Sequence, residues 1–142
     1  MKIVINKQYG GFNLSPKAVK EYLKLKGKEV FVYEMKFSGK DLYYEKAEDK
    51  VNRLFLNYYT KDFGKIIRSK DLENEIYKKY GFREKDICRT DEDLIKVVEK
   101  LGEEANTTCS TLRIIEIPDD IDWIIEEYDG MEWVAERHKT WN

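Results

Sequence analysis

The chain has 142 residues, of which 38% are charged and 42% hydrophobic, which is typical of one ordinary folded domain spanning residues 1–142. Its 26 basic and 28 acidic side chains leave a net charge of −2. The composition excludes collagen-like, low-complexity and disordered classes. The N-terminus lacks the apolar core of a signal peptide, and no apolar run approaches about 20 residues, so we expect a cytoplasmic protein that makes no membrane contact.

Histidine and cysteine usage limits the chemistry further. His138 is the single histidine, and Cys88 and Cys109 stand 21 positions apart, without the spacing of a zinc ribbon or a disulfide framework. We therefore expect no metal site, no cofactor, and no catalytic set built on histidine or cysteine. A carboxylate-based enzyme acting on nucleotides stays open, but no pair among the 28 acidic residues is set apart by its surroundings.

Charge is distributed unevenly along the chain. Residues 1–60 carry 12 basic and 7 acidic side chains, net +5, and residues 61–142 carry 14 basic and 21 acidic ones, net −7. This asymmetry indicates an electropositive surface that attracts anions, or two unlike surfaces that attract each other in an oligomer. An ordinary solvated surface, on which charged residues are unevenly distributed by chance, explains this asymmetry as well.

The first half of the chain predicts a strand, a helix and three further strands. Lys2–Asn6 is short and β-branched, and Ser15-Pro16 is a typical helix start, so a helix runs from Pro16 to about Leu25 and stops near Gly27. Alternating apolar residues predict a half-buried strand over 29–37, followed by strands over 42–44 and 53–59. The buried side of the helix is formed by Ala18, Val19, Tyr22 and Leu23. A lysine edge lies opposite and consists of Lys17, Lys20, Lys24 and Lys28.

Two more helices follow. Residues 71–80 are predicted to form a short helix closed by Gly81. Thr90 is predicted to cap the next helix, with Asp93 at its third position. Its buried stripe is formed by Leu94, Val97, Val98, Leu101 and Ala105.

The C-terminal segment predicts a hairpin and a last helical stretch. Residues 112–117 form a strand that ends before Pro118, and residues 122–128 are its predicted antiparallel partner. A turn at Asp129-Gly130 leads to one or two helical turns over 131–137. Strands in hairpin groups between helices favour an α+β fold with an antiparallel sheet and several short helices over a parallel βαβ arrangement.

Several cationic and aromatic residues are candidates for ligand binding. Lys24 and Lys28 on the lysine edge could neutralise phosphate groups, although a solvated lysine face is commoner. Phe82 beside Arg83 places a ring next to a guanidinium group, which suits stacking. Binding to duplex nucleic acid is not expected, because a sequence pI of about 5.6 is too acidic for it.

A polar loop and a following arginine form another candidate site. Asn106 and Thr108 lie between a helix end and a strand, where short polar side chains suit ligand hydroxyl or phosphate oxygens. Arg113 lies among apolar residues, so it must face solvent, pair with a carboxylate or meet an anion such as phosphate.

Three blocks of the sequence, about half the chain, resemble small phage and prophage proteins. They are INKQYGGFNLSPKAV, RTDEDLIKVVEKLGEEAN and LRIIEIPDDIDWIIEEYDGMEWVAERHKTW. Within that group the chain resembles the signal-sequestering Thoeris anti-defence family, whose members bind cyclic ADP-ribose isomers, and in some cases cyclic oligonucleotides, without cleaving them. Residues 46–86 lie outside these blocks.

The resemblance implies a non-enzymatic homo-oligomer in the cytoplasm of an infected bacterial cell, with pockets shared between protomers. It assigns the ligand diphosphate to Arg113 and base stacking to Phe82. Asn106 and Thr108 would contact ribose hydroxyls, and Lys24 with Lys28 would form a second site for larger cyclic nucleotides.

A protein–protein interaction module is the alternative to a small-molecule binder. The chain has 6 Phe, 10 Tyr and 3 Trp, and an aromatic sheet face could occupy a host or phage protein. A melting temperature that rises with added cyclic nucleotide would favour the binder.

Overall fold

The computed structural model describes residues 1–47 and 55–137 of the chain. His138 and the first two residues of the predicted strand over 53–59 lie outside this range. The elements in chain order are β1 (Lys2–Asn6), α1 (Pro16–Leu25), β2 (Phe31–Ser38), β3 (Asp41–Lys46), β4 (Leu56–Tyr59), β5 (Ile66–Arg68), α2 (Glu75–Tyr80), β6 (Gly81–Phe82), α3 (Glu92–Leu101), β7 (Leu112–Glu116), β8 (Trp123–Tyr128) and β9 (Met131–Glu136). All the strand pairs are antiparallel, so the predicted α+β class is confirmed. None of the described helices is long and apolar enough to cross a membrane.

Helix α1 begins and ends where its sequence signals indicate. The Ser15 hydroxyl accepts a hydrogen bond from the N–H of Ala18 at 3.2 Å, and Pro16 occupies the first helical position. At the other end, Gly27 has a φ of +75°, and the N–H of Lys28 donates to the carbonyl of Leu23 at 2.8 Å. This Schellman arrangement reverses the chain directly after the helix.

Helix α3 carries four residues of the predicted buried stripe, Leu94, Val97, Val98 and Leu101, whereas Ala105 is buried in the 3₁₀ turn that follows. The helix also begins at a different cap. Asp91, not Thr90, accepts hydrogen bonds from the N–H groups of Asp93 at 2.8 Å and Leu94 at 3.3 Å. The prediction of Thr90 was wrong because a carboxylate one residue later reaches the same orphan donors and also accepts a hydrogen bond from the Tyr22 hydroxyl at 2.9 Å. Asp91 thereby fixes α3 against α1.

The largest sheet has the strand order β5-β3-β2-β4-β6. Its central strand β2 was predicted to be half-buried, but Val32 and Tyr33 on opposite faces are 8% and 0% exposed. Val32 packs into the main core with α1 and α3, whereas Tyr33 packs with Tyr59 and Ile67 in a second cluster. The prediction failed because the segment after β4 folds back over the second face of the sheet.

That covering segment contains a shorter helix than predicted. The predicted helix over 71–80 is a 3₁₀ turn at Ser69–Asp71 followed by α2, which Asn74 caps by accepting from the N–H of Ile76 at 3.2 Å. Ile76 is 40% exposed, and it is Tyr77 and Leu72 that pack on the second cluster. The helix was predicted from Leu72, Ile76 and Tyr80 at four-residue spacing, but the cap at Asn74 starts it after Leu72.

The C-terminal strands pair differently from the prediction. β7 pairs with β1 at the start of the chain, and β8 pairs with β9, which replaces the helical turns predicted over 131–137. Asp129 and Gly130 have φ values of +48° and +85°, as a two-residue hairpin turn requires. This turn commits the following residues to a strand.

A buried ion pair attaches the β8–β9 hairpin to β1. Both guanidinium nitrogens of Arg89 donate to Glu132 on β9, at 2.6 and 2.9 Å, and Glu132 also accepts from the N–H of Asn6 at 2.8 Å. The guanidinium carbon of Arg89 lies 3.6 Å from the centroid of the Phe12 ring. The free edge of β1 is thereby closed.

Candidate anion-binding site

The residues predicted to bind a ligand lie in three separate parts of the molecule. Arg113 lies on β7, is exposed, and donates to the carbonyl of Leu112 at 3.3 Å. Of the three environments predicted for Arg113, which were solvent, a carboxylate and a bound anion, the structure shows solvent. Arg113 does not line either of the two clefts formed by the described residues around Lys24 and around Phe82.

Asn106 and Thr108 belong to the loop before β7. The side-chain oxygen of Asn106 accepts a hydrogen bond from the N–H of Leu112 at 2.9 Å, which ties the loop to the start of the strand. The carbonyl of Thr108 accepts from the side-chain amide of Gln8 at 2.9 Å, and its side chain is exposed. Asn106 therefore has a structural role, whereas the exposed Thr108 hydroxyl contacts the sulfur of Cys109 at 3.8 Å.

Phe82 lies on β6 and is half-buried. Its ring centroid is 5.9 Å from that of Tyr22 and 6.4 Å from that of Tyr58, so much of the ring packs against the core. The remaining surface faces a cavity that also borders Arg83, its predicted neighbour in a stacking corner.

Gly10 and Gly130 owe their residue type to packing. A Cβ on Gly10 would lie 2.6 Å from the carbonyl oxygen of Cys109, and a Cβ on Gly130 would lie 2.4 Å from the nitrogen of Gly11. The two glycines therefore let the β8–β9 turn and the loop around Cys109 approach the backbone.

Lys24 and Lys28, in contrast, lie together in a cleft of about 650 Å³. The helix places Lys20 and Lys24 one turn apart, and the reversal at Gly27 brings Lys28 alongside them. Lys46, the last residue of β3, also lines the cleft. The floor is apolar and consists of Val30, Phe31, Val32 and Ala47. We call this the lysine cleft.

Two of the four lysines have partners, and the other two have none within the part of the chain that the structure describes. Lys46 donates to Asp62 at 2.5 Å and lies 5.3 Å above the Phe31 ring, and its hydrogen bond to Asp62 raises the pKa of its ammonium group. Lys20 also has a partner. Lys24 and Lys28 are exposed and form no ion pair within residues 1–47 and 55–137.

The lysine cleft is therefore positive overall, because Glu29 is the one acidic residue among those that line it in the described part of the chain. The C-terminus of α1 contributes partial negative charge here, but its last carbonyls accept hydrogen bonds from residues 26–28. Ammonium groups around an apolar floor suit a ligand that combines phosphate charge with a less polar body.

Sequence patterns indicated part of this cleft. The lysine edge predicted Lys24 and Lys28, whereas Lys46 and Phe31 come from the sheet and carry no local signal of a site. Their proximity to α1 depends on how the sheet packs on the helix, which residue spacing does not encode.

The described residues hold no group of three or more histidine, cysteine or acidic side chains placed to bind a metal ion. The Cys88 thiol is exposed, and hydrogen bonding with the side chain and backbone of Thr90 lowers its pKa. No protein-family model, curated protein or solved structure matches the chain.

Proposed function

We propose that this protein binds a small cyclic nucleotide, of the cyclic ADP-ribose or cyclic oligonucleotide kind, and releases it unchanged. By holding the ligand it would lower the free concentration of an immune signal in an infected bacterial cell. The proposal rests on the lysine cleft, where Lys24 and Lys28 are unpaired in the described residues beside an apolar floor.

The cleft has the size and chemistry that such a ligand requires. Its volume of about 650 Å³ lies within the roughly 300–1,000 Å³ of small-molecule sites. Lys24 and Lys28 would contact phosphate oxygens, and the apolar side chains of Val30 and Ala47 would contact the base or ribose. Because sequestration requires tight binding and excess protein, it needs no reacting group.

Homo-oligomerisation is part of the proposal. Arg113 and Thr108 are exposed and do not line the lysine cleft of their own chain. In an oligomer they would contact the ligand from a neighbouring protomer, as the resemblance to sequestering proteins implies. Sedimentation equilibrium with and without ligand would measure the number of subunits.

The alternative, a protein–protein interaction module, has less support. The aromatic face of the sheet around Tyr33 and Tyr59 is covered by Phe63 and Tyr77. Phe37 and Ile66 are 68% and 51% exposed, but the strand register places them on opposite faces of the sheet. They therefore do not form one apolar patch.

A thermal melt with cyclic ADP-ribose isomers and cyclic dinucleotides tests the proposal. Ligand at about 100 times its Kd should raise the melting temperature by roughly 10 °C, since it binds only the folded state. Chromatography of the denatured sample should then recover the ligand intact. Product in place of ligand would contradict sequestration, and the absence of any shift would favour the interaction module.

Two matched variants locate the site. The double variant Lys24→Gln/Lys28→Gln should weaken binding by about 10- to 100-fold, because it removes both unpaired ammonium groups. Lys96→Gln is the control, since Lys96 is an exposed lysine on α3 that does not line the cleft. Equal affinity in both variants would remove the lysine cleft from the binding site.

A further inference from the structure

Strand β7 has one paired edge and one open edge. β1 lies on its paired side, and on the other side no strand pairs with it within residues 1–47 and 55–137. The outer edge of β1 is already closed by Arg89 and Glu132. An open strand edge presents backbone N–H and C=O groups that can pair with another strand. The two-stranded sheet can therefore be extended only at β7 within the described chain.

The hydrogen bonds of β1 show which backbone groups of β7 point outward. The N–H of Val4 donates away from β7, to the carbonyl of Arg89 at 2.9 Å, and Val4 lies opposite Ile114 in the register. In antiparallel strands, opposite residues alternate between pairs that exchange hydrogen bonds and pairs that do not. The backbone groups that point away from β1 therefore belong to Leu112, Ile114 and Glu116.

The free part of this edge is short, and both of its ends are defined. At one end, the N–H of Leu112 donates to the side-chain oxygen of Asn106 at 2.9 Å, and its carbonyl accepts from the side chain of the next residue at 3.3 Å. At the other end, Pro118 has no N–H. Between these ends, the backbone N–H and C=O groups of Ile114 and Glu116 have no hydrogen-bond partner among the described residues.

The free groups are arranged symmetrically about Ile115, so a twofold axis through that residue pairs the edge with itself. In the resulting antiparallel register, Ile114 exchanges two hydrogen bonds with the partner's Glu116. Glu116 exchanges two with the partner's Ile114 in the same way. Every free N–H and C=O group of the edge is then satisfied, and the same surface is used by both copies.

The side chains also suit a second copy. Ile115 and Ile117 are half-buried, and the twofold axis brings Ile115 against the partner's Ile115. Arg113 comes opposite the partner's Ile117, beside the exposed turn that contains Asp119 and Asp120. Asp119 pairs with the N-terminal amine, and Asp120 forms no ion pair in the described residues. Opposite charges therefore meet at both ends of the paired segment, which favours a second copy over a strand of another protein.

We propose that two copies of this chain join edge to edge through β7, with the twofold axis at Ile115. The pairing forms one continuous antiparallel sheet from β1 and β7 of both copies. It deepens the homo-oligomerisation that is part of the proposed function, because it names an interface. It requires no ligand, and no residue of β7 lines the lysine cleft.

Sedimentation equilibrium of the full chain without ligand tests this pairing. Between about 10 µM and about 1 mM protein, the mass should rise from 17.0 kDa towards twice that value. Arg113→Glu and Ile115→Lys bring like charges together across the interface, so each should weaken dimerisation at least about tenfold. Arg113 is exposed, so its variant keeps the test valid if Ile115→Lys perturbs folding.

The same changes on the edge strand β5 serve as matched controls. Arg68 and Ile66 are exposed, and Arg68→Glu and Ile66→Lys should leave the dimer unaltered. A chain that is monomeric at every concentration, or a dimer that persists in both β7 variants, would overturn the proposal.

Amide hydrogen exchange measured by NMR reports the backbone pairing directly. The N–H groups of Ile114 and Glu116 should exchange at least about tenfold more slowly at about 1 mM than at about 20 µM protein. The N–H of Leu112, held by Asn106, and the N–H of Ile115, held by β1, should exchange equally at both concentrations. A dimer in which the Ile114 and Glu116 amides exchange as fast as in the monomer contradicts pairing through this edge.

These measurements separate the interface from the proposed function, because no cyclic nucleotide is present in them. A β7 dimer whose melting temperature no cyclic nucleotide raises would contradict sequestration alone. Tight nucleotide binding by a chain that stays monomeric would contradict the edge pairing alone.

Discussion

The ion pair between Arg89 and Glu132 should contribute strongly to stability, because removing one partner leaves the other charged and buried. The Glu132 and Arg89 side chains are 10% and 17% exposed. Glu132→Ala removes both carboxylate acceptors of the guanidinium, leaving it the carbonyl of Val4 at 3.3 Å, and also removes the acceptor of the Asn6 N–H. Breaking a buried pair in this way costs about 3–5 kcal/mol, a large part of the 5–15 kcal/mol that a domain typically has.

Urea unfolding followed by circular dichroism at neutral pH measures this cost. Glu132→Ala should lower the free energy of unfolding by about 3–5 kcal/mol, and Glu132→Gln, which keeps one acceptor, by about 2–3 kcal/mol. Glu99→Gln is the control, since Glu99 pairs with Lys2 at 2.9 Å and both side chains are nearly half exposed. That variant should lose no more than about 1 kcal/mol. If Glu132→Ala is no less stable than the control, the pair does not hold the hairpin to β1.

Four further variants test local features of the fold by the same unfolding assay. Asp91→Ala should cost about 1–3 kcal/mol at pH 7 and Thr90→Ala less than about 0.5 kcal/mol; equal losses would contradict Asp91 as the cap. Burial acts to raise the pKa of Asp91, but hydrogen bonds from Tyr22 and Lys26 hold it below the usual value, so its contribution should disappear as the pH falls through that lowered pKa. Gly130→Ala should lose at least about 1 kcal/mol, because its Cβ would lie 2.4 Å from the Gly11 nitrogen at a φ of +85°, and an unchanged midpoint would mean that the turn relaxes freely. Glu84→Gln should be more stable than the natural chain at pH 7, and the gain should shrink as the pH falls, since burial raises the pKa of Glu84 and protonation removes the cost of its charge; a gain that is constant with pH would contradict this reason.

Elements with local signals could be predicted from the sequence. The Ser15 cap, Pro16 and the Gly27 stop all act within one or two helical turns, and each lies where it was expected. The buried stripe of α3 was also correct, because its apolar spacing faces one continuous core. Such features need no knowledge of distant residues.

Pairing between distant strands could not be predicted in this way. β1 and β7 are more than 100 residues apart, and nothing in either segment specifies the other. β9 was assigned to a helix because Met131–Glu136 contains residues that helices accept. The Asp129-Gly130 turn after an apolar strand was the signal for a hairpin, and it outweighs propensity once the two strands pair.

Ion pairs within the chain account for part of the uneven charge along the sequence. Several basic groups of the first 60 residues pair with carboxylates of the second part: Lys2 with Glu99, Lys17 with Glu104, Lys26 with Asp91 and Asp93, and the N-terminal amine with Asp119. The attraction between unlike surfaces is thus satisfied within one chain.

Exposed pairs of this kind contribute only about 0–1 kcal/mol each, so stability does not account for the whole excess of lysine. Lys24 and Lys28 remain without such partners in the described residues, and the turn at Gly27 brings them to the same cleft. Two ammonium groups held close together repel each other, and an anion between them removes that repulsion. Added salt should therefore weaken ligand binding at the lysine cleft far more than it lowers the stability of the fold.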